Sequence, residues 1–133
     1  MRTEIKSFSA IVGTAITLFW YNIPFAIKVL VFMALLDYFS GMYAAYTLHE
    51  WSSKVGAKGA AKKVFMFFLC FVAFLIDKLL HASSLLYNAV LFWYIGNEAL
   101  SILENAIKLD LKVPAKLKNA INTMISDNQE EEI

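Results

Sequence analysis

The chain has 133 residues, of which 59% are hydrophobic and 17% charged, with a formal net charge of +1. At a mean hydropathy of +0.58 it carries more apolar surface than a soluble fold of this size has interior to hide, soluble domains being roughly 45–50% apolar. Near-neutral charge argues against nucleic acid as a partner, since that capture needs a basic face binding many phosphates, and the single cysteine, Cys70, excludes an intrachain disulfide framework.

The charged residues gather at the two ends and in one central block, so the solvent for the remainder is read as lipid. Four apolar stretches follow in chain order. The first, Phe8 to Tyr21, is brief against the ~20 residues that span a bilayer and ends at Asn22-Ile23-Pro24, a turn signal. Arg2 and Lys6 precede it, and no small-residue cleavage site follows, so it is read as retained. The second, Pro24 to Leu48, is interrupted only by Lys28 and Asp37. A basic block from His49 to Lys63, with Lys54, Lys58, Lys62, Lys63, Gly56 and Gly59, reads as an interfacial loop. The third stretch, Val64 to Leu80, is unbroken until Asp77-Lys78; Cys70 lies within it, between Leu69 and Phe71, and reads as a small buried hydrophobe. After His81 to Ser84 the fourth begins at Leu85 and becomes amphipathic from Asn97 to about Leu111. Pro114 suits the first position of a surface helix whose apolar face is Leu117, Ala120, Ile121, Met124 and Ile125, and the tail from Asp127 to Ile133 is acidic.

The predicted fold class is all-α: an integral membrane helical protein with three to four transmembrane helices plus a C-terminal amphipathic helix. Residues 1–112 form the transmembrane domain, with a cytoplasmic basic loop near 49–63, and residues 113–133 a cytoplasmic amphipathic helix and acidic tail. Positive charge favours the cytoplasmic side. Arg2 and Lys6, the central lysine block, and Lys108, Lys112, Lys116 and Lys118 all reach that side if the chain crosses four times. Three crossings result if the first stretch lies flat at the interface.

On the second stretch, Leu30, Ala34, Gly41, Ala44, Ala45 and Leu48 share a mostly small face with Asp37, opposite Phe32, Phe39, Tyr43 and Tyr46. A carboxylate within a span is costly and faces protein or water, and small neighbours allow close helix approach. Asp37, Ser40, Gly41, Ala44 and Ala45 are therefore candidate oligomer contacts, with simple packing as the alternative. Gly13 and Thr17, with Ser9 one turn earlier, form a less specific small stripe. Asp77, one turn before His81, and the stripe Tyr94, Asn97, Glu98, Ser101 and Asn105 are candidates for lining water in an assembly. Solvation at a helix end, and a plain exit from the bilayer, are the respective alternatives. Two histidines, one cysteine and no glycine-rich phosphate loop or metal-ligand cluster give no catalytic constellation. No enzyme activity, cofactor or metal is expected.

Three segments, taken in order, carry a resemblance. They are Leu36-Asp37-Tyr38-Phe39-Ser40-Gly41 followed by Ala44-Ala45; the run Ser52 to Lys63 leading into a hydrophobic helix that ends in Asp77; and Asn97 to Asn105 trailed by Val113 to Ala120. Together, from Leu36 to about Ala120, they resemble the toxin-secretion and phage-lysis holin family, with Ser40 keeping the hydroxyl where threonine is more frequent. The resemblance implies a multi-pass protein of the bacterial (host) cytoplasmic membrane. Such a protein partners lipid and copies of itself, oligomerising into lesions that release a cell-wall hydrolase or a toxin with no required contact to that cargo. An ion-conducting channel that only depolarises the membrane, and a non-permeabilising scaffold or regulator, are the alternatives.

Overall fold

Backbone polar groups in lipid must be satisfied within the chain, which favours helices. The computed structural model describes residues 1–120 and 123 and contains no strand among them. Four long helices follow in order: α1 (Arg2–Asn22), α2 (Phe25–Thr47), α3 (Ser53–Leu79) and α4 (Leu85–Lys108). A further helical segment covers residues 115–120 after Pro114. Ile121, Met124, Ile125 and the acidic tail lie outside the described residues. Among the described residues, two helices, α2 and α3, are long and apolar enough to cross a membrane.

Three helices stop in the same way. His49, His81 and Asp110 adopt left-handed backbone conformations, with φ of 58°, 53° and 58°. In each case the next amide reaches back to a carbonyl in the last turn: Glu50 to Ala45 at 2.8 Å, Ala82 to Asp77 at 2.9 Å and Leu111 to Ala106 at 3.0 Å. This is the Schellman arrangement, which satisfies orphan carbonyls and favours glycine at the left-handed position. Both histidines of the sequence are thus helix-stop residues.

Helices α2, α3 and α4 form a bundle through three stripes at alternating three- and four-residue spacing, the period of left-handed helix packing. On α2 the stripe is Leu30, Ala34, Asp37, Gly41 and Ala44; on α3 it is Gly56, Gly59, Lys63, Met66, Cys70, Ala73 and Asp77; on α4 it is Leu91, Tyr94, Glu98, Ser101 and Asn105. Leu30, Ala34, Met66, Cys70 and Leu91 make the buried apolar core. The small face of α2, a candidate for contacts with other copies or for packing, packs against α4 of the same chain, with Ala44 only 1% exposed.

The predicted loop at residues 49–63 shortens to residues 48–52, because α3 begins at Ser53. Ser52 caps it, its hydroxyl accepting the Val55 amide at 3.2 Å. Gly56 and Gly59 look like loop residues in sequence but lie inside the helix, where they leave room for Tyr38. A Cβ on either would stand 3.6 or 3.5 Å from that ring or hydroxyl, and the Tyr38 hydroxyl donates to the Gly56 carbonyl at 3.3 Å. Helix α1 behaves differently. It packs against none of the other three helices, it is exposed from Thr3 to Asn22, and its Gly13 has nothing within 4 Å of an added Cβ. Its link to the bundle is Lys28, whose ammonium lies 5.9 Å from the Trp20 ring centre.

Candidate functional site

The three stripes bring one charged residue each to a common level. Lys63 of α3 donates to Asp37 of α2 at 2.5 Å and also to Glu98 of α4. Glu98 is 6% exposed. Below it, the Asn105 amide donates to the Asp37 carboxylate and to the Ser40 hydroxyl, both at 2.9 Å, and approaches the Asp37 carbonyl at 3.2 Å. Gly41 makes this possible, since a Cβ there would lie 3.3 Å from the Asn105 nitrogen. Among the described residues, no buried side-chain polar atom lacks a partner. Two carboxylates share one ammonium, so with all three ionised the layer carries a net negative charge. Breaking such a pair strands a charge away from water, which is far costlier than never having placed it there.

Open clefts flank the layer on both sides. One, of about 370 Å³, reaches from Asp37 and Lys63 past Ala45, Ser101 and Glu104 to Lys108. The other, of about 470 Å³, is lined by Asp37, Lys62, Lys63, Asn97, Glu98 and Ser101. The polar stripe of α4 therefore faces α2 and α3 within one chain and meets two recesses at its edges.

A second polar layer lies at the far end of the bundle. Asp77, 4% exposed, accepts the backbone amides of Leu86 at 3.2 Å and Tyr87 at 2.6 Å. Ser84, in a left-handed conformation, makes no side-chain cap, so Asp77 caps α4 from the neighbouring helix. This is a hairpin clamp, and the structure places it away from the Glu98 stripe. Between Lys63 and Asp77, α3 rises about 21 Å at ~1.5 Å per residue.

Of the predicted site residues, Asp37, Ser40, Glu98 and Asn105 come together in the charged layer, Gly41 and Ala44 form the α2–α4 seam, and Ala45, Asn97 and Ser101 line the clefts. Tyr94 packs against the apolar core. Lys54, Lys58 and Lys62 are exposed on the outer side of α3, whereas Lys63 points inward. Sequence reading missed Lys63 as the counter-ion of both carboxylates. A signal for it exists: if the helical phase of Met66, Cys70 and Asp77 is extended back one turn, it lands on Lys63.

Residues 14–125 match the bacteriophage holin family, a longer stretch than the motifs from Leu36 onward delimit. An uncharacterised protein of Listeria monocytogenes is 39% identical over 99% of this chain and 91% of its own length. An uncharacterised protein of Halalkalibacterium halodurans is 31% identical over 96% of this chain and 98% of its own. A probable holin of Bacillus phage phi105 is 30% identical over 72% of this chain and 71% of its own. No solved structure matches.

Proposed function

The chain belongs to the bacteriophage holin family, and from that premise we propose that it is a holin of the bacterial cytoplasmic membrane. In this reading it crosses the membrane four times, with the lysines of α3 and the helix after Pro114 on the cytoplasmic side. It self-associates into lesions that let a cell-wall hydrolase, or a toxin, out of the cell.

The observation that supports the reading most is the Asp37–Lys63–Glu98 layer. The helix between this layer and the Asp77 clamp rises only about 21 Å, against a hydrocarbon thickness of ~30 Å, so at least one of the two polar layers is drawn below the membrane surface. Ionisable groups buried inside a membrane bundle, as Glu98 is, are costly for an inert anchor and serve an assembly whose inner wall is wet. Inside one chain Lys63 pairs with both carboxylates and the small faces of α2 and α4 are mutually covered. If α2 and α4 part, Asp37, Glu98, Ser101 and Asn105 come to face water, and Gly41, Ala44 and Ala45 become available to a second copy. Exchange of intrachain for interchain packing thus connects a quiescent bundle to a wet assembly.

Expression in bacteria tests this directly: growth should halt and a cytoplasmic hydrolase should appear outside the cell. Size-graded leakage from vesicles separates the alternatives. Passage of ions alone identifies a depolarising channel, and no passage at all identifies a scaffold; either result overturns the lesion reading. Orientation is tested with single cysteines at Lys54 and Lys116 after removal of Cys70. Labelling of either by an impermeant reagent in intact cells, before any lesion forms, overturns the topology.

A further inference from the structure

A third recess lies on the outside of the bundle, on the far side of Lys62, Met66 and Tyr94 from the cleft beside the charged layer. It has a volume of about 440 Å³ and is lined by Lys58, Ala61, Lys62, Phe65, Met66, Leu69 and Tyr94. Six of these seven residues belong to α3, and Lys58, Ala61, Lys62, Phe65 and Leu69 follow one another at helical spacing down one face, with Tyr94 of α4 as the facing wall. The groove is therefore polarised along its length. Two lysines stand at one end, and the rest is apolar or aromatic. Among the described residues, neither Lys58 nor Lys62 takes part in an ion pair.

We infer that this groove holds one anionic phospholipid of the cytoplasmic leaflet, its phosphate between Lys58 and Lys62 and an acyl chain against Ala61, Phe65 and Leu69. Three features select this occupant over a soluble anion or a protein helix. The lysines sit at the membrane end that positive charge assigns to the cytoplasm, where anionic headgroups concentrate and attract basic residues. The apolar part of the groove, from Lys62 to Leu69, is about 10 Å of helix, so an acyl chain lying in it stays within the ~15 Å of hydrocarbon of a single leaflet. A free phosphate would leave the apolar floor uncovered, and a second helix would bury both lysines without counter-charge. Lys54, one turn beyond the groove, extends the basic stripe but does not line the recess, so it serves as an internal control.

The inference rests on membrane insertion and not on lesion formation, so its test is read on purified protein. The full chain is extracted in mild detergent and exchanged against vesicles of phosphatidylcholine containing either phosphatidylglycerol or extra phosphatidylcholine of the same acyl chains. Retained lipid is then counted by mass spectrometry. Preferential retention of phosphatidylglycerol is expected, falling roughly thirtyfold in the double variant Lys58→Gln/Lys62→Gln, about fivefold for each lysine near a membrane surface. Lys54→Gln should fall less than either single groove variant. Ala61→Phe keeps both charges but fills the floor, and should also lose the lipid. Equal retention of the two lipids overturns the inference, as does full retention by Ala61→Phe. Displacement of the lipid by inorganic phosphate at matched concentration would show an anion site without an acyl groove, and overturns it too. A chain that retains the lipid yet never lyses cells contradicts the holin reading alone.

Discussion

The two buried polar layers of the bundle use the same chemical group in opposite ways. At one end Asp37 and Glu98 meet the ammonium of Lys63, so three helices are tied by charge across gaps that open into clefts. At the other end Asp77 meets only backbone amides of the adjoining helix. The first arrangement depends on the relative placement of α2, α3 and α4 and is lost when they separate. The second belongs to one hairpin and survives any movement that keeps α3 and α4 joined at their turn. A carboxylate in an apolar helix is therefore a marker of cost, and its partner decides whether it reports on assembly or on local folding.

The comparison breaks most visibly at Lys63. Lys63→Met leaves two carboxylates facing each other without a counter-ion, and loss of one member of a buried ion pair typically destabilises by about 3–5 kcal/mol. Unfolding in mixed detergent micelles, followed by helicity, should shift accordingly, and lysis at matched membrane expression should come early because the separated state gains weight. Adding Asp37→Asn and Glu98→Gln to Lys63→Met should restore much of the stability. If Lys63→Met unfolds no more readily than the parent, the charged layer does not hold the helices together.

Gly41 comes next. A leucine there pushes Asn105 away from Asp37 and overpacks the α2–α4 seam, a change that costs about 1–3 kcal/mol in tight interiors. Phe39→Leu, on the exposed face of α2, should leave stability unchanged within the error of the same micelle assay. The reverse ranking would mean that the small face is not the intrachain seam. Asp77→Ala removes the acceptor of two amides and should cost up to about 2 kcal/mol, the upper range for a lost helix cap. Asp77→Asn keeps one acceptor and should fall between. Hydrogen exchange at Leu86 and Tyr87 locates the effect: acceleration confined to the start of α4, with lysis timing little changed, keeps the two layers separate in role.

Much of this was legible in sequence, for identifiable reasons. The apolar stretches and the polar breaks at Asn22 to Pro24 and His81 to Ser84 correspond to helices and turns because hydropathy and turn chemistry are local properties. Asp37, Glu98 and Asn105 could be singled out because polar atoms in lipid are conspicuous. Their partner could not, since pairing across helices is not local and Lys63 was hidden among three exposed lysines. Gly56 and Gly59 misled for a related reason: glycine marks both a loop and a close contact, and only the position of Tyr38 distinguishes them. The small face of α2 stands out in sequence as a surface for close helix approach, but sequence does not say whether the facing helix belongs to the same chain.

The smallest effect expected is at His81, and it sharpens the contrast because it changes the hairpin without touching either carboxylate. His81 ends α3 with φ of 53°, a conformation that costs an L-residue roughly 1–2 kcal/mol and glycine almost nothing. The amide of the following residue, Ala82, donates to the Asp77 carbonyl at 2.9 Å, so Asp77 closes α3 with its backbone while its side chain opens α4. His81→Gly should relieve the strain at this stop. Part of the gain is offset because glycine is also freer in the unfolded chain, leaving a net stabilisation of about 1 kcal/mol or less. The predicted signature is a later micelle-unfolding midpoint and slower exchange at Leu86 and Tyr87, with lysis timing unaltered. A shift in lysis timing as large as that of Lys63→Met would show that the hairpin end is coupled to the charged layer and that the two are not separable.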